Sequence, residues 1–213
     1  LKPEKSIELT AGVDWTAGSF RLTPEVFYRD ISDYIQGVPS TNMTANLFGM
    51  MMTGKPPLQF ANVDAEMYGF DMGYEWQFAA TWSLRGNLGY VRGKRTDVKD
   101  NLYRIPPLSS FLELRYQHER YFIAAESVAA AKQDKVSAYN QEQPSAGWGI
   151  INLRAGIELG RRFSLGLGVE NLADKLYQDH LGGYNRVRDS DVPVGVRLYS
   201  QGRNFYLRLS TSW

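Results

Sequence analysis

The chain has 213 residues, 43% of them hydrophobic, and its 24 basic and 23 acidic residues leave a net charge of +1, so neither nucleic acid nor an acidic partner has electrostatic support. There is no cysteine, which excludes disulfide scaffolds and thiolate metal centres. No apolar run approaches the roughly 20 residues of a membrane helix, and no secretory leader opens the chain; neither observation excludes crossing a membrane with strands.

The aromatics and glycines, 13 Tyr, 10 Phe, 5 Trp and 20 Gly, occur almost everywhere in period-two alternation, which predicts an all-β protein. Nine strands are predicted, at about 5–15, 20–34, 60–76, 82–92, 108–117, 121–133, 147–159, 163–176 and 203–213. In the first, Ile7, Leu9, Ala11, Val13 and Trp15 oppose Ser6, Glu8, Thr10, Gly12 and Asp14. In the second, Pro24 lacks an amide, so a bulge or a shifted register is expected there. The fourth sets Trp82, Leu84, Leu88 and Tyr90 against Ser83, Arg85, Asn87 and Gly89, and the fifth sets Leu112, Leu114 and Tyr116 against Glu113, Arg115 and Gln117. The seventh, eighth and ninth repeat the pattern, with Leu153 and Ile157 opposite Arg154 and Glu158, Leu165 and Leu167 opposite Gly166 and Gly168, and Leu207 and Leu209 opposite Arg208.

A face carrying Arg, Glu and Asn does not suit a dry sandwich core; it suits a solvent face or a wet lumen. Connector lengths separate these architectures. "TAGS", "QFAAT", "HER" and "GRR" are tight turns, and they alternate with connectors of about 25, 15, 13 and 26 residues. All the short connections therefore lie at one end of the sheet, as in transmembrane β-barrels with short periplasmic turns and long outer loops. Trp15, Phe20, Trp76, Trp82, Tyr116, Tyr121, Phe163 and Trp213 flank short turns or the terminus and are expected to form a membrane girdle; Tyr28, Tyr68 and Tyr90 give a sparser second ring. Aromatic cross-strand pairing of the ordinary kind is the plainer alternative. An odd strand count cannot close antiparallel throughout, so the chain reads as a segment of a longer barrel.

Five stretches, "LKPEKSIELTAGVDW", "NVDAEMYGFDMGYEW", "LYRIPPLSSFLELRY", "GVENLADKLYQDHLGGYN" and "GRNFYLRLSTSW", resemble the last part of the barrel of TonB-dependent outer-membrane receptors of Gram-negative bacteria. The resemblance implies an antiparallel transmembrane β-barrel of 22 strands, of which residues 1–213 supply the final nine; an N-terminal plug and the earlier strands lie outside the chain. It implies uptake of a metal or metal chelate through the TonB energy-coupling complex, which engages the missing N-terminal region, with outer-membrane lipid around the barrel and Trp213 read by the barrel assembly machinery. "GVPS…MMMTGKPPLQFANVDAEMYGFD" is most similar to the copper-receptor branch, in which the main metal site includes plug residues. A siderophore-iron receptor and a passive porin or adhesin are the alternatives, and no catalysis and no cofactor are expected.

Four of the six methionines, Met43, Met50, Met51 and Met52, fall in the second long connector. Thioethers are soft ligands that suit Cu(I), although methionine is also a common gap-filler and three in a row cannot face one ion from an extended strand. His180, in the last long loop beside Asp179, is a further metal candidate whose plainer role is solvated polarity, as for His118 in a turn. Arg186 and Arg188 could meet an anionic siderophore. Lumen-facing Arg85, Glu113, Arg115, Glu126, Arg154, Glu158, Glu170 and Arg208 are expected to form cross-strand ion ladders that hold the wall.

Overall fold

The structure, a computed structural model, describes residues 1–160 and 162–211. Its strands are β1 (Lys5–Gly12), β2 (Trp15–Ala17), β3 (Phe20–Pro39), β4 (Leu58–Ala79), β5 (Trp82–Arg95), β6 (Ser109–His118), β7 (Tyr121–Ala130), β8 (Trp148–Leu159), β9 (Phe163–Glu170) and β10 (Asn204–Thr211). One helix, α1 (Met43–Thr53), lies between β3 and β4. The strands form a single antiparallel sheet in the order β1-β3-β4-β5-β6-β7-β8-β9-β10, with β2 also on β3. Because β1 and β2 together occupy the first predicted strand, the sheet has nine passes across it, as the alternation requires.

Pro24 accounts for the break between β1 and β2. Gly12 faces Glu25 and Trp15 faces Leu22, so the register runs unchanged past the proline, contrary to the expected bulge or slip. Val13 N–H donates to Pro24 O at 3.0 Å, and the reciprocal bond is missing because proline has no amide hydrogen. The ladder loses one bond and keeps its alignment.

The bulge lies further along, at Asp33, where Ile31 faces Ala65 but Tyr34 faces Val63. Asp33 has φ +60° and its N–H meets Asp64 Oδ1 at 3.2 Å. The extra residue shifts the alternation, so that Ile31 below the bulge and Gln36 and Val38 above it all point inward. β3 and β4 consequently run past the lengths predicted for them, and Ile31, Val38, Val63 and Ala65 pack with Leu102 and Ile105 from the β5–β6 loop.

The eighth predicted strand instead stops at Glu170. Asn171 takes φ +50°; its Oδ1 accepts the N–H of Lys175 at 2.8 Å and its Nδ2 donates to Lys175 O at 2.9 Å, folding "NLADK" into a compact turn. The predicted sixth strand ends at Ala130 rather than at residue 133.

The two faces of the sheet obey opposite rules. On the outward face Leu153, Ile157, Leu207 and Leu209 are 37%, 42%, 72% and 67% exposed, and among the described residues no second protein layer lies against them. On the inward face Glu113, Glu126 and Asn152 are buried. An apolar outer face and a polar inner face is the arrangement of a barrel wall in lipid.

Candidate functional site

Two features of the inward side could act on a ligand: the wall and the loops above it. On the wall, Arg85 Nη2 donates to Glu113 Oε2 at 3.0 Å across the β5–β6 pair. Arg154 lies 2.7 Å from Glu126 and 3.7 Å from Glu170, linking β7, β8 and β9. Asn152 extends the network, donating to Glu126 at 3.3 Å and accepting from the N–H of Asn171 at 2.9 Å. The remaining members of the expected ladders differ. Arg115 donates to Gln117 at 2.8 Å and lies 3.7 Å over the Phe122 ring, while Glu158 and Arg208 line an inward hollow with Arg120, Ser164 and Ser210. Phe122 lies flat along the wall because its partner is Gly156, where a Cβ would fall 2.4 Å from the ring.

The long connectors form one interlocked assembly. Asp100 accepts from Ser137 Oγ at 2.7 Å and from the N–H groups of Ala138 and Tyr139, tying the β5–β6 loop to the β7–β8 loop. Glu142 is buried and accepts from the N–H groups of Arg104 at 3.0 Å and Ser137 at 2.9 Å. His180, from the β9–β10 loop, places Nδ1 3.0 Å from Ser145 Oγ and Nε2 3.2 Å from Glu142 Oε1. It is 2% exposed, so the expected solvated role is corrected: the histidine ties the β9–β10 loop to the β7–β8 loop inside their core. Arg197, also buried, donates to Gln143 O at 2.9 Å and to the Tyr184 hydroxyl at 2.8 Å. The stretch "DHLGGYNRVRDSD" is therefore partly internal, contrary to the hydrated face expected of it. Burial raises the Tyr103 phenol above its ordinary value, and the Arg95 guanidinium hydrogen-bonded to Asp97 holds that carboxyl below the usual range.

The methionine-rich connector is a helix, not an extended loop. Asn42 Oδ1 caps its start by accepting the N–H of Ala45 at 3.0 Å, and Gly54, with φ +70°, ends it as its N–H reaches Met50 O. Met43, Met50, Met51 and Met52 are all exposed. Met43 and Met50 are seven residues apart and share a side, but no methionine has another three or four residues away, so the helix does not pair two thioethers. Arg188 donates to Met51 O at 2.9 Å and lies 3.9 Å from Met52 Sδ, joining the last loop to α1. His180, held by Ser145 and Glu142, belongs to a different part of the loop assembly. Among the described residues, no group of three or more His, Asp or Glu side chains comes together in a way that could hold a metal ion.

At the short-turn end the outward aromatics form a row. Trp15 meets Phe20 edge-on at 5.8 Å, and Trp76, Phe78, Trp82, Tyr116 and Tyr121 follow one another at 5.0–6.4 Å between ring centroids. His118 ends β6 and stacks on Tyr116 at 6.3 Å. Phe163 faces Leu159 and is half-exposed. Phe78 is a member that the sequence reading missed; its place beside a tight turn was the available signal. Trp213 lies outside the described residues.

A profile described as "TonB dependent receptor-like, beta-barrel" matches residues 1–172. No curated protein sequence matches the chain. Among solved structures, one described as "Copper transporter OprC" superposes with a TM-score of 0.88 at 24% identity, over 100% of this chain and 32% of its own. The FrpB iron transporter of Neisseria meningitidis gives 0.72 at 15% identity, over 98% and 30% of the two chains. The ferric enterobactin receptor PfeA of Pseudomonas aeruginosa, as a G324V variant, gives 0.71 at 22% identity, over 100% and 32%. The chain spans about a third of the length of these structures. The family is one of outer-membrane receptors rather than enzymes, which replaces the porin and adhesin alternatives. With one face apolar, the other charged and every long loop at one end, the chain belongs to the TonB-dependent receptor β-barrel family.

Proposed function

We propose that the intact protein imports a metal or metal chelate across the outer membrane in a TonB-dependent manner, and that copper is its cargo. Residues 1–213 form the C-terminal part of its barrel, and the plug and the remaining strands belong to parts of the protein beyond this chain. The observation that carries the reading is the two-faced sheet: uncovered leucine and isoleucine outside, buried carboxylates inside, loops interlocked above. The aromatic row from Trp15 to Tyr121, with Phe163 beside its own tight turn, serves as the periplasmic-side girdle, and Trp213 as a mark for the assembly machinery.

Copper is supported by the exposed methionines of α1 and by the superposition on a copper transporter, at 0.88 against 0.72 for an iron transporter. Because α1 pairs no two thioethers, Met50 and Met51 act as capture ligands that share the ion with donors from elsewhere in the intact protein. An iron chelate is the second reading, favoured by exposed Arg186 and Arg188 on the loop over α1.

The test is uptake by cells expressing the full-length protein, with radioactive copper and ferric siderophores compared, with and without TonB. TonB-dependent copper accumulation that falls severalfold in M50A/M51A/M52A supports the reading. Iron accumulation without copper accumulation replaces copper with the chelate, and uptake that ignores TonB removes energy coupling.

A further inference from the structure

We propose that Met52 is a site of reversible oxidation, and that Arg188 grips its sulfoxide, so that oxidation fastens α1 to the β9–β10 loop. This rests on the placement of the long loops outside the membrane but not on the identity of the cargo.

The chemistry begins with what the chain lacks. It has no cysteine, so thioethers are its softest oxidisable side chains, and four of its six methionines lie on one helix at the loop end. Met52 is 44% exposed, so a small oxidant reaches its side chain from solvent. A peroxide transfers one oxygen atom to the thioether: an S–O bond forms, the O–O bond breaks, sulfur gives up two electrons, and the peroxide leaves as water or an alcohol. The product is polar where the thioether was apolar.

Arg188 sets Met52 apart from the other methionines of α1. Its Nη2 donates to Met51 O at 2.9 Å and lies 3.9 Å from Met52 Sδ. Among the described residues, Met52 is the methionine whose sulfur meets a cationic donor. Met51 O belongs to the last turn of α1, where a helix leaves its carbonyls without internal partners and its dipole favours a cation. Nη2 carries two hydrogens. One serves the Met51 carbonyl, which leaves the other for the thioether, a weak acceptor. An oxygen on the Met52 sulfur gives that second hydrogen a strong acceptor, and a charge-assisted bond replaces a weak one.

Both sides of this seam are in place before oxidation. Asn185 is buried and staples the turn that carries Arg188: its Oδ1 accepts the N–H of Val187 at 2.9 Å, and its Nδ2 donates to Val187 O at 2.9 Å. On the helix side, Thr53 Oγ1 donates to Gly49 O at 3.0 Å. Lys55, just past the Gly54 cap, places its ammonium 4.7 Å over the ring of Tyr184 in the same β9–β10 loop. α1 and that loop therefore remain neighbours without the Met52 contact. The sulfoxide tightens an existing seam.

The test uses the full-length protein in detergent, in an M43L/M50L/M51L background that leaves Met52 as the one thioether of α1, treated with dilute hydrogen peroxide. Peptide mass spectrometry locates the added oxygen, and hydrogen exchange is read over residues 43–53 and 183–197. Met52 is expected to gain one oxygen and exchange in both segments to slow about tenfold. Methionine sulfoxide reductase with dithiothreitol should restore the starting rates, the dithiol becoming its disulfide as the sulfoxide oxygen leaves as water. R188Q and M52L should show no slowing on oxidation, whereas a purely structural role for Arg188 would change the starting rate and leave the response intact. Heat-modifiable migration reports barrel folding; if R188Q fails to fold, M52L, an apolar replacement of similar size, carries the comparison. Unchanged or faster exchange once Met52 is oxidised, equal slowing in a folded variant, rates that stay slow after reduction, or oxidation of Met67 and Met72 ahead of Met52 overturns the proposal. No copper enters any arm, so failure here and failure of the import reading are separate results.

Discussion

The lower wall and the loop assembly are built from one chain under opposite solvent rules. In the wall, Leu207 and Leu209 stay uncovered while Glu113 and Glu126 are buried. In the loops, Leu102 is fully buried with Ile105, Val38 and Val63, as in a water-soluble domain. Hydrocarbon replaces protein as the partner of the wall's apolar side chains, whereas the loops must bury theirs against each other. Polar groups follow the same division, because the wall pairs charge with charge across strands while the loops satisfy carboxylates largely with backbone N–H groups.

The contrast can be broken from either side, and the largest effect is expected in the loop core. Leu102→Ala should cost about 2–5 kcal/mol locally, since the side chain is fully enclosed, and appear as faster hydrogen exchange in residues 96–108 and 131–147 with the wall strands unchanged. Leu153→Arg places a charge on the outward face and should cost about 2–4 kcal/mol if that position lies near the bilayer midplane, measured by reversible unfolding of the full-length barrel in lipid vesicles. A neutral result there would mean that Leu153 does not face lipid.

Glu126→Gln probes the inward face. Arg154 is partly exposed and keeps Glu170 at 3.7 Å, so the loss should be only about 1 kcal/mol in the same unfolding experiment. The smallest effect is the acid response of the loops. Asp97 has its folded pKa lowered by its hydrogen bond to Arg95, so its contribution is fully present above the unfolded value near 3.8 and disappears as pH falls through the lower folded value. Exchange protection around residues 95–100 should weaken only in that acid window, and Asp97→Asn should remove the dependence.

Much of the wall was legible in the sequence. Strict alternation in "INLRAGIEL" and "NFYLRLST" admits only one assignment of faces, because a one-residue slip would put Arg154 or Arg208 into lipid. The alternation of tight turns with long connectors gave the strand order without any contact information. The loops were far less legible. α1 carries no apolar stripe that contrasts with a polar one, and none of its residues is buried, so the helical period had no signal; its capping residues Asn42 and Gly54 were the available clue. His180 read as a solvated loop residue because its partners, Glu142 and Ser145, are 38 and 35 positions away.

By itself, the sequence determined the fold class, the number of passes, which face of each strand meets lipid and which end bears the loops. These follow from a period-two pattern set against two solvents, a local property of the chain. Tertiary structure alone decided that the register holds through Pro24 yet shifts phase at Asp33, that the methionines ride on a helix, and that Glu142, His180 and Asp100 lock the loops together. Each of these depends on which distant backbone groups and side chains meet in space, and alternation along a strand carries no information about such meetings.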